Sequence, residues 1–207
     1  MSQKTKKPVG EAPLRQDHDA EIMAVDLPRA ELSPDMQTLF DKCDEKIGFV
    51  PNVLAAYAHN NEKLAAFATL YNDLMLAPSG LSKLEREMIA VVVSSENRCF
   101  YCLTAHGAAV RQLSGDPVLG ETLVMNWRAA RLSHRHQAML AFSVKMTRSS
   151  AEIGDADRQA LRAAGFTDAD IWDVAAVASF YNMSNRMASA VDMRPNLVYH
   201  FQNRTSA

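Results

Sequence analysis

The 207-residue sequence contains little of what builds several common classes of protein. It has only eight glycines and eight prolines, which disfavours a fold of short strands and tight turns. Its three cysteines are an odd number, and two of them are too close together to staple a small secreted fold. No stretch approaches about eighteen uninterrupted apolar residues, so we predict no membrane-spanning helix. The formal net charge of -2 provides no broad basic surface for nucleic acid.

Two further absences concern nucleotide cofactors and the cellular location of the protein. The sequence has no glycine-rich nucleotide-binding pattern. The N-terminus has basic residues but lacks the apolar core of a signal peptide, so we predict a cytoplasmic location. Residues 1–20 are polar and are predicted to form a flexible arm. We expect residues 21–207 to form a single all-α domain.

Apolar residues make up 48% of the chain, and many of them recur at helical spacing after clear start signals. These signals are residues that cap helix N-termini, at Ser33, Ser82, Asp116, Ser133 and Thr167. The run from Met88 to Val93 is apolar on all sides, and the helix that contains it is predicted to be central and enclosed. Its three consecutive valines are also compatible with a strand, but the capping box at Ser82 and Glu85 favours a helix.

The side chains with the greatest chemical reactivity are concentrated in one stretch, which contains Cys99, Cys102 and His106. Offsets of three, four and seven residues place all three side chains on one face of a helix. The start of that helix would favour a thiolate at Cys99, because the helix dipole and free N–H groups stabilise negative charge there. Two thiols at this spacing suit a dithiol reductant, in which one sulfur attacks and the other resolves the product.

A carboxylate joins this group from the preceding helix. Glu87 lies twelve residues before Cys99 on the enclosed helix, where we expect it to be desolvated. It would serve there as a general base or as the group that orients His106. Glu96 is closer in sequence, but it lies at the helix boundary, where we expect it to be solvated.

Less reactive interpretations remain open. The two cysteines could be inert core residues, or they could bind zinc together with His106 and Glu87. The third cysteine, Cys43, lies on an apolar stripe and is predicted to be a buried, unreactive thiol. Trp127 and Trp172 are interpreted as packing anchors, and the tail from residue 195 onward is expected to pack on a neighbouring chain.

Residues 87–97 and residues 172–182 have a similar pattern of apolar and polar side chains. An old duplication of a helical unit would explain this similarity. Only the first copy would have kept its thiols, because Ser184 and Met187 occupy the corresponding places in the second.

The pattern Glu87-x11-Cys99-x2-Cys102-x3-His106 resembles the active-site signature of the alkylhydroperoxidase D (AhpD) family, within the carboxymuconolactone decarboxylase-like superfamily. The resemblance covers roughly residues 20–200. Further passages are similar to the peroxidase-related branch of that family: GFVPN at 48–52, LAPSGL at 76–81, REMIAVVV at 86–93, NWRAA at 126–130 and SNRMA at 184–188.

This resemblance implies an AhpD-like helical bundle, cofactor-free reduction of a small-molecule hydroperoxide, regeneration by an external dithiol, and a homo-oligomer. It assigns peroxide attack to Cys102, resolution to Cys99, and proton relay to Glu87 and His106. One departure is Tyr101, where the mycobacterial type has a histidine. The superfamily's decarboxylases use no dithiol, which argues against that activity. The remaining alternative is a non-catalytic helical oligomer whose dithiol senses redox state or binds metal.

Overall fold

In a computed structural model that describes residues 21–205, the protein is all α-helical, as predicted. The described residues contain no β-strand and form nine α-helices: α1 Pro34–Ile47, α2 Asn52–Tyr57, α3 Asn61–Leu76, α4 Lys83–Glu96, α5 Phe100–Ser114, α6 Pro117–Asn126, α7 His134–Ser149, α8 Asp155–Ala163 and α9 Asp168–Ala190. Short 3₁₀ turns occupy Trp127–Ala129, Ser150–Glu152 and Leu197–His200. The predicted arm, residues 1–20, lies outside the described residues. No helix in the described part of the chain has the length and apolarity needed to cross a membrane.

The helices begin where the capping residues predict. The Ser82 hydroxyl accepts a hydrogen bond from the Glu85 N–H at 3.1 Å, and the Glu85 carboxylate accepts one from the Ser82 N–H at 2.8 Å. This reciprocal arrangement satisfies two N–H groups at the start of α4 that have no partner within the helix. Thr167 and Asp170 form the same arrangement at the start of α9.

The centre of the fold is α4, which packs against α3, α5, α6, α7 and α9. Its residues from Glu85 to Ser94 are all buried, and Val91, Val92 and Val93 are fully enclosed. Each enclosed valine contributes roughly 1.5–3 kcal/mol through the hydrophobic effect. The prediction of a central helix is therefore confirmed. Helices surround α4 on every side, and this lets its β-branched valines pack well within a helix.

The turn between α4 and α5 differs slightly from the prediction, which began the second helix at Cys99. The first helical residue is Phe100, and Cys99 is the N-cap residue with an extended backbone. Arg98 has a positive φ of 53°, and the Cys99 N–H donates to the Ser94 carbonyl at 3.0 Å. This tight turn brings the end of α4 directly against the start of α5.

Two terminal segments fold back onto the bundle. Residues 21–32, which we call the N-terminal strap, are bonded to the chain after α9: the Ala24 N–H donates to the Val191 carbonyl, and the Arg194 N–H donates to the Ile22 carbonyl, both at 2.8 Å. Part of the tail, at Tyr199, packs on its own chain, and the expectation that the tail packs on a neighbouring chain stays a prediction. The buried guanidinium of Arg111 needs acceptors, and it donates to the Tyr199 carbonyl at 2.8 Å, so this part of the tail packs on α5.

Three expectations about single side chains are wrong. Trp172 is 76% exposed, whereas Trp127 is buried as predicted. Cys43 is only half-buried, because α1 lies at the edge of the bundle and buries none of its residues fully. Glu96 pairs with Arg148 on α7 instead of being freely solvated.

The proposed duplication remains a prediction. Its two copies place Asn97 and Asn182 at corresponding positions, and the two amide side chains contact each other, with Asn97 Nδ2 donating to Asn182 Oδ1 at 3.0 Å.

Candidate active site

The start of α5 positions two free thiols side by side. Cys99 and Cys102 are 3.3 Å apart, and each residue is only 1% exposed. At this separation one thiol donates a hydrogen bond to the other. A disulfide requires a sulfur–sulfur distance of about 2.0 Å, so only a small approach separates the dithiol from its oxidised form.

A carboxylate–imidazole pair lies beside the thiols, as the spacing of the residues predicts. Glu87 Oε2 of α4 lies 2.6 Å from His106 Nδ1 of α5, and their side chains are 11% and 13% exposed, respectively. The short contact assigns Nδ1–H as the donor to the carboxylate, which fixes the orientation of the ring and leaves Nε2 for another partner. All four residues selected from the sequence are therefore brought into one region.

A fifth side chain contacts this pair. The Tyr181 hydroxyl of α9 lies 3.4 Å from His106 Nδ1, and the two rings meet edge to face with centroids 4.7 Å apart. Burial, together with the charge of Glu87, raises the pKa of Tyr181 well above its ordinary value, so the phenol stays protonated. From the sequence alone Tyr181 looked like one more core residue of α9, because its spacing is that of the apolar stripe.

A cavity of about 300 Å³ opens onto Cys102 and His106. Its wall is mainly apolar and aromatic, and its polar members are hydroxyl, thiol, amide and imidazole groups. Within residues 21–205, no lysine, arginine, aspartate or glutamate lines it. The lining residues are Leu39, Cys43, Ile47, Pro51, Val53, Leu54, Phe67, Ala68, Tyr71, Asn72, Leu76, Tyr101, Cys102, Ala105, His106, Phe180, Tyr181, Ser184 and Tyr199.

Cys99 does not line this cavity. It belongs to a small buried cluster that also contains Ala56, Tyr101, Cys102, Ala188 and Met193. Ile22 and Met23 of the N-terminal strap pack against that cluster. The strap therefore packs against the cluster that holds both thiols, whereas the cavity adjoins Cys102 and not Cys99.

The two thiols also differ in charge. Hydrogen bonding from the Cys102 thiol, opposed by burial and aided by Ser189 and His106, lowers the pKa of Cys99 to about 6. Hydrogen bonding to Cys99, burial and the Cys99 charge raise the pKa of Cys102 well above its ordinary value. At neutral pH the pair therefore carries one negative charge, located on Cys99, as the position at the helix start predicts.

Helix α9 supplies polar groups that the sequence reading missed. Hydrogen bonds from Asn185 and Ser184 favour the thiolate form of Cys102, and a hydrogen bond from Ser189 favours that of Cys99. Asn185 is fully buried, and its amide donates to the Ser94 hydroxyl at 2.9 Å. The available signal was the pair of adjacent polar residues Ser184 and Asn185, both of which are buried in α9.

Tyr101 is held in a structural contact. Its hydroxyl accepts a hydrogen bond from the Val53 N–H at 3.0 Å, which anchors the start of α2 to α5. Burial raises the pKa of Tyr101 well above its ordinary value. We interpret this residue as a brace between helices instead of a member of a proton relay.

Among the residues that the structure describes, no three histidine, cysteine, aspartate or glutamate side chains are grouped so as to hold a metal ion. Within the candidate site, the carboxylate of Glu87 is instead engaged with His106.

Comparisons with known proteins agree with this fold. The model of the carboxymuconolactone decarboxylase family matches residues 61–117, from α3 to the start of α6. An uncharacterized peroxidase-related protein from Silicibacter sp. TM1040 is 64% identical, with a TM-score of 0.87 over 89% of this chain and 97% of that one. An uncharacterized peroxidase-related protein with an alkylhydroperoxidase AhpD core, from Ralstonia eutropha JMP134, is 39% identical, with a TM-score of 0.87 over 91% of this chain and 100% of that one.

A more distant structure shares only the fold. The debrominase Bmp8 is 18% identical, with a TM-score of 0.69 over 81% of this chain and 89% of that one. A search of curated proteins found no match.

Proposed function

We propose, because this chain belongs to the AhpD-like, peroxidase-related branch of the carboxymuconolactone decarboxylase family, that it is an antioxidant enzyme that reduces organic hydroperoxides with a cysteine pair. The observation that carries this proposal is the position of Cys102. Its thiol adjoins an apolar cavity on one side and a partner thiol at 3.3 Å on the other. A peroxide in the cavity would meet Cys102 and His106 together.

The first step transfers oxygen. Cys102 passes its proton to the Cys99 thiolate through their hydrogen bond, and the Cys102 thiolate attacks the terminal oxygen of the peroxide. The O–O bond breaks, and the departing alkoxide takes a proton from the His106 imidazolium, which Glu87 holds in place. The products are an alcohol and a sulfenic acid on Cys102.

The second step closes the disulfide. The Cys99 sulfur attacks the Cys102 sulfur, the S–OH bond breaks, and the hydroxide leaves as water with the proton that Cys99 carried. In total, two thiols and one hydroperoxide give a disulfide, an alcohol and water. An external dithiol then reduces the disulfide, and one of the protons it supplies returns to His106.

The direct test is turnover of tert-butyl hydroperoxide with a dithiol reductant. We expect the wild-type protein to turn over and Cys102→Ser to lose activity. Thr104→Ser, on the same helix but outside the cavity lining, is the matched control and should keep it. Equal rates for wild type and Cys102→Ser would overturn the proposal, and stoichiometric zinc that blocks thiol alkylation would favour the non-catalytic metal protein instead.

A homo-oligomer in the cytoplasm completes this proposal. Exposed apolar side chains support association, among them Val118 at 69%, Met125 at 76% and Trp172 at 76% exposure. Such side chains are typical of surfaces that another chain covers. Sedimentation of the purified protein tests this part, and a monomer at micromolar concentration would contradict it.

A further inference from the structure

We infer that the substrate is a compact, neutral and apolar hydroperoxide, and that Tyr199 in the C-terminal turn limits its size. This inference rests on the proposed function, because it takes the cavity beside Cys102 as the place where the peroxide binds. It goes further in naming the kind of organic group the peroxide carries and the residue that selects it.

The chemistry of the wall excludes charged substrates. Among the residues that the structure describes, no lysine or arginine lines the cavity, and its imidazole, His106, is already paired with the Glu87 carboxylate. A substrate carboxylate would therefore lose its hydration without gaining an unpaired cationic partner. Carbon-rich side chains such as Leu54, Phe67 and Phe180 would instead contact an alkyl or aryl group. The cavity therefore favours a neutral hydrocarbon group over the carboxylate end of a fatty acid.

The dimensions of the cavity favour a compact group. Its volume of about 300 Å³ lies at the lower end for sites that bind small molecules. That volume corresponds to roughly ten water-sized groups. The floor is Cys102, which is 1% exposed, and the exposed lining residues, Ile47, Asn72 and Leu76, mark the mouth. A substrate must fit between this mouth and the floor to bring its peroxide oxygen to the thiol.

Tyr199 is a fixed part of the wall. Its ring meets Phe49 edge to face with centroids 5.2 Å apart. Its carbonyl accepts from the Arg111 guanidinium at 2.8 Å, and the same guanidinium donates to the Gln202 carbonyl at 3.0 Å. Arg111 is only 4% exposed, so these bonds are shielded from water and hold the turn firmly against α5.

A second anchor ties the same turn to the other side of the cavity. The Asn196 amide donates to the Val50 carbonyl at 3.0 Å, and its oxygen accepts from the Asn52 N–H at 2.7 Å. The turn is thus bonded both to α5 and to the start of α2. It also lies outside residues 61–117, the segment that the family model matches.

The test compares kcat and KM for three hydroperoxides: cumene hydroperoxide, its ring-carboxylated derivative and a bulkier naphthyl homologue. With wild type, we expect kcat/KM for cumene hydroperoxide to exceed that of the carboxylated compound by roughly 100-fold. Tyr199→Ala and Tyr199→Leu should raise kcat/KM for the naphthyl compound relative to cumene hydroperoxide by about tenfold, mainly through KM. Tyr199→Phe keeps the ring and should leave this ratio unchanged, as should Phe201→Ala, a 71% exposed neighbour outside the lining.

A binding measurement separates this inference from the proposed activity. Cumyl alcohol and its carboxylated form, the products of the two reactions, are titrated into Cys102→Ser by calorimetry. Preferential binding of the neutral alcohol, weakened by Tyr199→Ala, supports the inference even if no peroxide is turned over. Equal binding of both alcohols, or a naphthyl ratio that neither Tyr199→Ala nor Tyr199→Leu changes, would overturn it even if the protein is a peroxidase.

Discussion

Cys99 and Cys102 are equally buried, yet only one of them adjoins an open space. The cavity adjoins Cys102, whereas Cys99 is enclosed in the cluster of both thiols against which Ile22 and Met23 of the N-terminal strap pack. Exposure values alone would rate the two thiols as equivalent, since each is 1% exposed. The difference teaches that access to a buried thiol depends on whether the space beside it is empty or filled.

The charge is on the thiol that does not adjoin the cavity. A pKa of about 6 favours the thiolate at Cys99, whereas the pKa of Cys102, which adjoins the cavity, is raised. A thiolate is the form most easily oxidised, and this one is enclosed in the buried cluster. In the proposed mechanism, transfer of one proton across 3.3 Å moves the charge to Cys102.

Replacing either cysteine with serine should have the largest effect, and the two replacements should have different effects. In Cys99→Ser, we expect peroxide to produce a sulfenic acid on Cys102, while repeated turnover is lost because no resolving thiol remains. In Cys102→Ser, we expect no sulfenic acid at all. Trapping with dimedone followed by peptide mass spectrometry locates the adduct, and an adduct on Cys99 in Cys102→Ser would reverse the assignment of the two sides.

Removal of the relay carboxylate should have the next largest effect. Glu87→Gln keeps the shape of the side chain but removes the carboxylate that accepts the hydrogen bond from His106 Nδ1 and orients the ring. We expect kcat/KM to fall by about 100-fold, within the range of general acid–base contributions. Glu96→Gln on the same helix, which affects only the pair with Arg148, should change little. Equal losses in the two variants would show that α4 was merely destabilised.

The fold and the four central residues could be predicted because their signals are local. Capping residues such as Ser82 and Thr167 set helix starts through contacts three residues away. The relation of Cys102 to His106 follows from the helical repeat, and the apolar surroundings of Glu87 placed it on an enclosed helix.

The rest of the site depends on packing between segments that are distant in the sequence. The spacing of apolar residues does not predict such contacts. An aromatic residue at core spacing, such as Tyr181, looks the same whether it fills space or contacts an imidazole. The stripe that contains Cys43 indicated the inward face of α1 but not the cavity beneath it. Likewise, neither the polar composition of the chain before α1 nor the tail around Tyr199 indicated what each segment covers.

The charge difference between the two sides predicts a pH profile. The thiolate absorbance of the reduced protein should show one midpoint at about 6, with the thiolate present above this pH and lost as the pH falls through it. In Cys102→Ala the midpoint should rise toward the ordinary value of about 8.5, because the main stabilising hydrogen bond is gone. Ser189→Ala should shift it less in the same direction. A midpoint that stays at about 6 in Cys102→Ala would contradict the shared hydrogen bond.

The strap itself should have a smaller effect, mainly on one thiol. Met23→Ala removes side-chain cover from the cluster that holds both thiols. Alkylation of Cys99 by a neutral reagent should accelerate several-fold, whereas that of Cys102, which also adjoins the cavity, should change less. Leu27→Ala, a strap residue outside that cluster, is the control. Equal acceleration at both cysteines would indicate general loosening of the fold.

The smallest effect on activity is expected at Tyr101, which lies between the two cysteines in the sequence. Tyr101→Phe keeps the ring in the cavity wall but leaves the Val53 N–H without its acceptor at the start of α2. The free energy of unfolding should fall by about 1–2 kcal/mol, measured by urea denaturation, because a donor in a partly buried position loses its hydrogen bond. The value of kcat/KM should stay unchanged, since the proton path runs through Cys99, His106 and Glu87. If Tyr101 instead carried a proton to the peroxide, the same variant would lose activity with little loss of stability, and the hydroxyl would belong to the chemistry of the Cys102 side.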